Sequence, residues 1–200
     1  MTTTWIQKRG KCLVLPENTQ EKDFTYLEEN TVLKIPESAL PLAVLSSSAS
    51  NAFAFGIINV RKSIYNHFMW MHRPGFFASQ DWTYREIPIK KYLGFDHRLK
   101  FWHNPNWTLD NRTQIKKSIQ HYLDLPKYRT LYDILAIVGQ ALNKVWIQNP
   151  LLRICSDYGS ILFESGVDLR YMLKNPAPDQ VDDWLQAHTE YEVYGRYAGE

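Results

Sequence analysis

Cys155 stands in Arg153-Ile154-Cys155-Ser156-Asp157-Tyr158-Gly159, where the pattern predicts the first turn of a helix. Unpaired backbone N–H groups and the positive end of a helix dipole stabilise a thiolate there and raise its reactive fraction at neutral pH. The same N–H groups can receive the oxyanion of a tetrahedral intermediate. His67 lies in Asn66-His67-Phe68-Met69-Trp70-Met71. A period of two sends Asn66, Phe68 and Trp70 to one face and His67, Met69 and Met71 to the other. An imidazole opposite a thiol can take its proton and later protonate a leaving group. The plainer readings are a small buried hydrophobe for Cys155 and a core histidine bonded to a backbone carbonyl for His67.

An imidazole that works as a base is usually held by an acceptor on its second ring nitrogen. The segment Phe77-Ala78-Ser79-Gln80-Asp81 offers Ser79, Gln80 and Asp81. Gln80 has the reach and a carbonyl acceptor and is the first choice. Ser79 replaces it if the turn is one residue tighter, because a slip of one residue exchanges the faces of a strand. Trp70 and Trp82 are candidates to stack on a substrate, and Trp102 and Trp107 fall near the same cleft, although packing is the commoner use of such residues. His67 with His72, and His97 with His103, lack a carboxylate or cysteine companion, so no metal and no cofactor is predicted.

These side chains need a sheet and helices to position them. Arg73-Pro74-Gly75 is a turn signal between residues 66–71 and 76–80, which predicts an antiparallel hairpin. Residues 52–60, 84–89 and 98–102 read as further strands, 11–15 and 31–35 as short extended pieces, and the polar run 46–50 as a loop. Ile115, Ile119, Tyr122 and Leu123 form one apolar helix face, opened by Thr108 or Asp110. Ile134, Val138, Ala141, Leu142 and Val145 mark a second helix, and Cys155 with Tyr158, Ile161 and Leu162 a third that stops at Gly166. Pro176 and Pro178 introduce a fourth through Val181, Trp184 and Leu185, and residues 191–197 alternate as an edge strand would.

With 200 residues, 44% hydrophobic and 22% charged, the chain suits one domain with a core large enough to support a site. The formal charge of +2, from 23 basic and 21 acidic residues, is too even to create the field that nucleic acid binding uses. Two cysteines, Cys12 and Cys155, are too few for a disulfide framework and suggest a reducing compartment. No signal peptide and no stretch of about 20 apolar residues is visible, so a cytoplasmic location without a membrane span is expected. Incorporation into a larger particle is compatible with that expectation.

The order of these elements resembles the permuted NlpC-type papain-fold proteins, a group that includes YiiX-like enzymes and, more distantly, the lecithin retinol acyltransferase family. There a histidine begins a strand-turn-strand unit, a polar residue follows on the second strand, and a cysteine comes much later at a helix start. The matching stretches are Tyr65-Asn66-His67-Phe68-Met69-Trp70, Phe77-Ala78-Ser79-Gln80 and Ile154-Cys155-Ser156-Asp157-Tyr158. Tyr132-Asp133-Ile134-Leu135 is similar to the helix before the nucleophile, and Asn175-Pro176-Ala177-Pro178-Asp179-Gln180-Val181 to the proline-led helix after it. The likeness spans roughly residues 55–195. Two positions depart from it: Ser or Gln stands where the family often has an acid or histidine, and bulky Phe68 and Trp70 follow the histidine.

The resemblance implies an α+β fold with a central antiparallel sheet packed against helices, in a papain-like domain over residues 51–200 preceded by an extension over 1–50. It implies a cysteine-dependent hydrolase, an amidase or peptidase acting on cell-wall peptides, isopeptides or acyl esters, or an acyltransferase, working through an acyl-enzyme on Cys155 and His67. Two other readings are open: a catalytically inactive structural or assembly protein on the same fold, and a nucleic-acid binding module using the aromatics with Lys116 and Lys117. Residues 1–50 are the candidate contact for a protein partner.

Overall fold

Alternate residues along the middle strands are apolar in both directions, so their sheet has to be covered on both faces. The computed structural model of the protein describes residues 4–8, 11–15, 24–27, 35–48, 65–94, 97–141, 149 and 152–199. β1 (Thr4–Lys8) and β2 (Lys11–Leu15) form a separate antiparallel pair. The main sheet contains β3 (Thr25–Leu27), β4 (Leu42–Ser48), β5 (His67–Arg73), β6 (Phe76–Gln80), β7 (Tyr84–Pro88), β8 (His97–His103) and β9 (Glu192–Gly199). Its order is β3-β9-β8-β4-β5-β6-β7, antiparallel throughout except for β3 beside β9. The helices are α1 (Leu109–Asp124), α2 (Ile134–Ala141), α3 (Ile161–Glu164) and α4 (Pro178–Ala187), so the fold is α+β.

The hairpin of β5 and β6 forms where the turn signal placed it, with Gly75 at φ 76°, a conformation glycine adopts without Cβ strain. On one face of the sheet Phe68, Trp70 and Leu45 pack with Ile115 and Ile119 of α1, Leu162 of α3 and Leu185 of α4. On the other, Val44, Met69, Met71 and Phe77 pack with Ile35, Leu40 and Tyr92. Helix ends follow their caps. Thr108 Oγ1 accepts the Asn111 N–H at 3.2 Å while Asn111 Oδ1 accepts the Thr108 N–H at 3.0 Å. Asp133 Oδ1 accepts the Ala136 N–H at 3.0 Å at the start of α2, and Pro178 opens α4.

Four expectations change. Ser46 to Ser48, read as loop, are the end of β4, because pairing on both sides with β5 and β8 outweighs the weak strand preference of serine. The tail is not an edge strand: β9 lies between β3 and β8. Cys155 begins a six-residue 3-10 segment, Cys155–Ser160, and the α-helical turn α3 comes only after it. Finally, β3 and β4, from the stretch assigned to an N-terminal extension, belong to the main sheet, β3 at its edge and β4 at its centre. The predicted strand at 52–60, most of 31–35 and the end of the second helix at Leu142 and Val145 lie outside the described residues.

α4 is fastened to β8 by a buried ion pair. Lys100 Nζ lies 2.9 Å from each carboxylate oxygen of Asp182, and Trp102 Nε1 donates to the same group at 2.7 Å. The 3-10 segment is fastened by close packing. A Cβ built on buried Gly159 would stand 2.7 Å from Tyr171 Cζ and closer still to its hydroxyl. Gly159→Ala is therefore expected to displace the buried Tyr171 ring and lower stability by about 1–3 kcal/mol, read as a fall in the urea midpoint at unchanged m-value. An unchanged midpoint would show that the ring yields freely.

Candidate functional site

His67 is the first residue of β5, and Ser79 pairs with Met69 across the hairpin. Same-face neighbours alternate, so Ser79 lies on the His67 face one diagonal step away, while Gln80 points to the opposite face with Ala78. The side chains follow that register. His67 Nε2 is 2.7 Å from Ser79 Oγ. Gln80 is fully buried elsewhere, donating to the Thr130 carbonyl at 2.6 Å and accepting from the Tyr158 hydroxyl at 3.1 Å. Of the two candidates for the third position, the structure brings Ser79 to the imidazole and sets Gln80 to holding the loop at Thr130 against the 3-10 segment.

The 3-10 segment that Cys155 opens is held to β5 by Trp70, whose Nε1 donates to the Tyr158 carbonyl at 2.8 Å. The Cys155 thiol is free and 2% exposed. The backbone N–H groups of Phe68, next to His67, and of Ser156 are directed at the sulfur. The Tyr132 hydroxyl donates to it at 3.9 Å. Three anchors hold this arrangement: Asp157 accepts the Ile154 N–H at 2.9 Å, Ser156 Oγ donates to the Pro176 carbonyl at 2.5 Å, and the Asp133 N–H donates to the Arg153 carbonyl at 3.0 Å.

A further residue beside the imidazole is Tyr92. Its hydroxyl is 3.5 Å from His67 Nε2 and 3.2 Å from Ser79 Oγ, and negative charge on Cys155 disfavours its ionisation. Sequence reasoning passed over Tyr92, although Ile89, Tyr92 and Leu93 at i, i+3 and i+4 carry the period of an inward-facing turn. In the sequence Tyr132 stands out only through the similarity of Tyr132-Asp133-Ile134-Leu135 to a helix that precedes the nucleophile.

Burial dominates the electrostatics. It lowers His67 to about 4, against the attraction of Asp81 and with help from Lys91 and His97. It pushes Cys155 up to about 11, against the N–H groups of Phe68 and Ser156 and the Tyr132 hydroxyl, with a further push from Asp157. At neutral pH the site therefore holds a thiol and a neutral imidazole. The thiolate anticipated from a helix N-terminus does not form at rest, since a few N–H donors do not offset removal of the charge from water.

Asp157 is itself raised to about 6, chiefly by burial, with the Ile154 N–H and Arg153 opposing. A carboxyl raised on folding favours the native state while protonated. That contribution is complete below the unfolded value near 3.8 and is lost as pH rises through about 6. Asp157→Asn, whose amide oxygen can still accept the Ile154 N–H, is thus expected to gain stability relative to the parent between pH 4 and 7, by at most about 3 kcal/mol. Parallel stability-pH curves for the two proteins would refute it.

Trp70 is fully buried, so it is a core residue and offers no surface to a ligand; Trp102 and Trp107 are also buried. Trp82 is 72% exposed, and its carbonyl accepts the Tyr132 N–H at 2.9 Å, which places it beside the Tyr132 loop. Among the described residues, no group of three or more His, Cys, Asp or Glu side chains could hold a metal ion. His72 pairs with Glu86 and His103 with Glu192, each at 2.9 Å. Arg112 and Lys116 of α1 are engaged too: Arg112 donates to the Ala39 carbonyl and Lys116 pairs with Glu37. No described helix is long and apolar enough to cross a membrane. No protein-family model matches the chain, and no curated protein matches it.

Proposed function

We propose that the protein is a cysteine-dependent hydrolase of the permuted NlpC-type papain-like kind, an amidase or peptidase, with acyl transfer as the outcome where another nucleophile replaces water. The observation that carries the reading is the 2.7 Å contact of Ser79 Oγ with His67 Nε2 beside a thiol that receives the N–H of the residue following that histidine. With Nε2 held by Ser79, Nδ1 is the nitrogen that exchanges protons. The thiol proton passes to Nδ1 as the sulfur attacks an amide or ester carbonyl. The imidazolium then protonates the departing amine or alcohol, and water activated by the same nitrogen hydrolyses the thioester. Backbone N–H groups around the sulfur are the donors for the transient oxyanion.

The substrate class is a peptide, isopeptide or acyl ester, and the two cysteines of the chain suit a cytoplasmic setting. A partner docking through residues 1–50 would use parts of that stretch other than β4, which is paired on both sides.

A second reading, an inactive structural or assembly protein on the same framework, is favoured by one observation, the near-complete burial of Cys155. A thiol-directed probe separates the two. Selective labelling of Cys155 at neutral pH that depends on His67 supports the hydrolase, and an inert thiol supports the alternative.

A further inference from the structure

Serine differs from the carboxylate or amide that more often orients a catalytic imidazole, because its hydroxyl both donates and accepts. If Ser79 donates to Nε2, the ring proton resides on Nδ1 and the ring cannot take a proton from the thiol through that atom. If Ser79 donates elsewhere, its oxygen is free to accept Nε2–H, and Nδ1 is basic. The choice turns on whether the hydroxyl has another acceptor within reach. The Tyr92 oxygen stands 3.2 Å away. Its ring lies nearly parallel to the imidazole, with centroids 6.1 Å apart and planes 12° from each other, and is held edge-on by Phe77 and His97, each 5.5 Å away. At 3.5 Å from Nε2 the phenol is too distant for a good bond to the ring itself, so its effect passes through Ser79.

We propose that Tyr92 is a positioning residue of the Cys155–His67 pair: its phenol oxygen accepts the Ser79 hydroxyl proton, which keeps the serine oxygen an acceptor for Nε2–H and leaves Nδ1 as the base. The inference rests on the hydrolase reading for its consequence but on the hydrogen-bond cluster for its substance. Burial keeps His67 neutral at pH 7, so one tautomer can be read directly.

The experiment is nitrogen-15 NMR of the imidazole side chains in full-length protein, together with the rate of iodoacetamide labelling of Cys155 at pH 7. The parent is expected to show His67 as the Nε2–H tautomer. Tyr92→Phe, which removes one oxygen and keeps the stacked ring, is expected to shift it toward Nδ1–H and to slow labelling about tenfold. In a Ser79→Ala background the same change is expected to have no further effect. A parent in the Nδ1–H form, a tautomer indifferent to Tyr92→Phe, or additional slowing in the Ser79→Ala background would each overturn the proposal. If the tautomer shifts as expected while labelling ignores His67→Ala, the role of Tyr92 stands and the hydrolase reading alone fails.

Discussion

His67→Ala is expected to slow the labelling of Cys155 at pH 7 by about 10²- to 10⁴-fold, the range attributable to a positioned general base. With the thiol pushed up to about 11, roughly one sulfur in 10⁴ is ionised at pH 7. Reaction without assistance is confined to that fraction. An imidazole that removes the proton as the sulfur attacks avoids the limit. The shapes of the pH profiles follow. With His67 in place the rate rises as the ring loses its proton near pH 4, stays level across neutrality and rises again toward 11. Without it only the last rise remains. Intact-mass measurement of labelling in a Cys12→Ser background gives both profiles, and identical profiles for parent and variant would end the catalytic reading.

Asp182→Ala is expected to cost about 3–5 kcal/mol of stability, because it strands a buried ammonium that lies 2.9 Å from the carboxylate. Lys100 already ionises less readily than a free lysine, since burial outweighs the attraction of Asp182. The pair as a whole is therefore a weak stabiliser, while either half alone is a liability. Replacing both with apolar residues, Lys100→Met with Asp182→Leu, should recover most of the loss and leave the missing acceptor of Trp102 Nε1 as the residual cost. Urea denaturation of the single and double variants completes the cycle. A double variant as unstable as Asp182→Ala would assign the effect to packing instead of charge.

Much of the site's framework was legible because it depends on local rules. The Pro74-Gly75 turn fixed the hairpin, and the period of two sent His67 with Met69 and Met71 to one face, where the two methionines join a core cluster whose Tyr92 stacks on the imidazole. The helix faces of α1 and α4 followed from spacing at three and four. What was not legible depended on partners distant in the chain. Serines 46 to 48 are strand residues only because β5 and β8 flank them. The choice between Ser79 and Gln80 required the register, which a bulge between Met71 and Arg73 shifts and a turn motif alone does not supply. The resting charge of Cys155 went against its local signal because local N–H donors are visible in sequence and burial is not.

Among the described residues, β3 joins the main sheet only through β9, where Thr25 lies beside Tyr197 and Leu27 beside Gly199. β9 is thus the coupling piece for two strands, and the closure it makes spans more than 170 residues of intervening chain. Loop closure over such a distance delays productive contact, so the β8 side of the sheet should complete late in folding, after the β5–β6 hairpin has formed. Damage confined to β9, by clipping or by a proline in its ladder, would release β3 as well and uncover the flank of β8 on which Arg98 and Leu99 are buried.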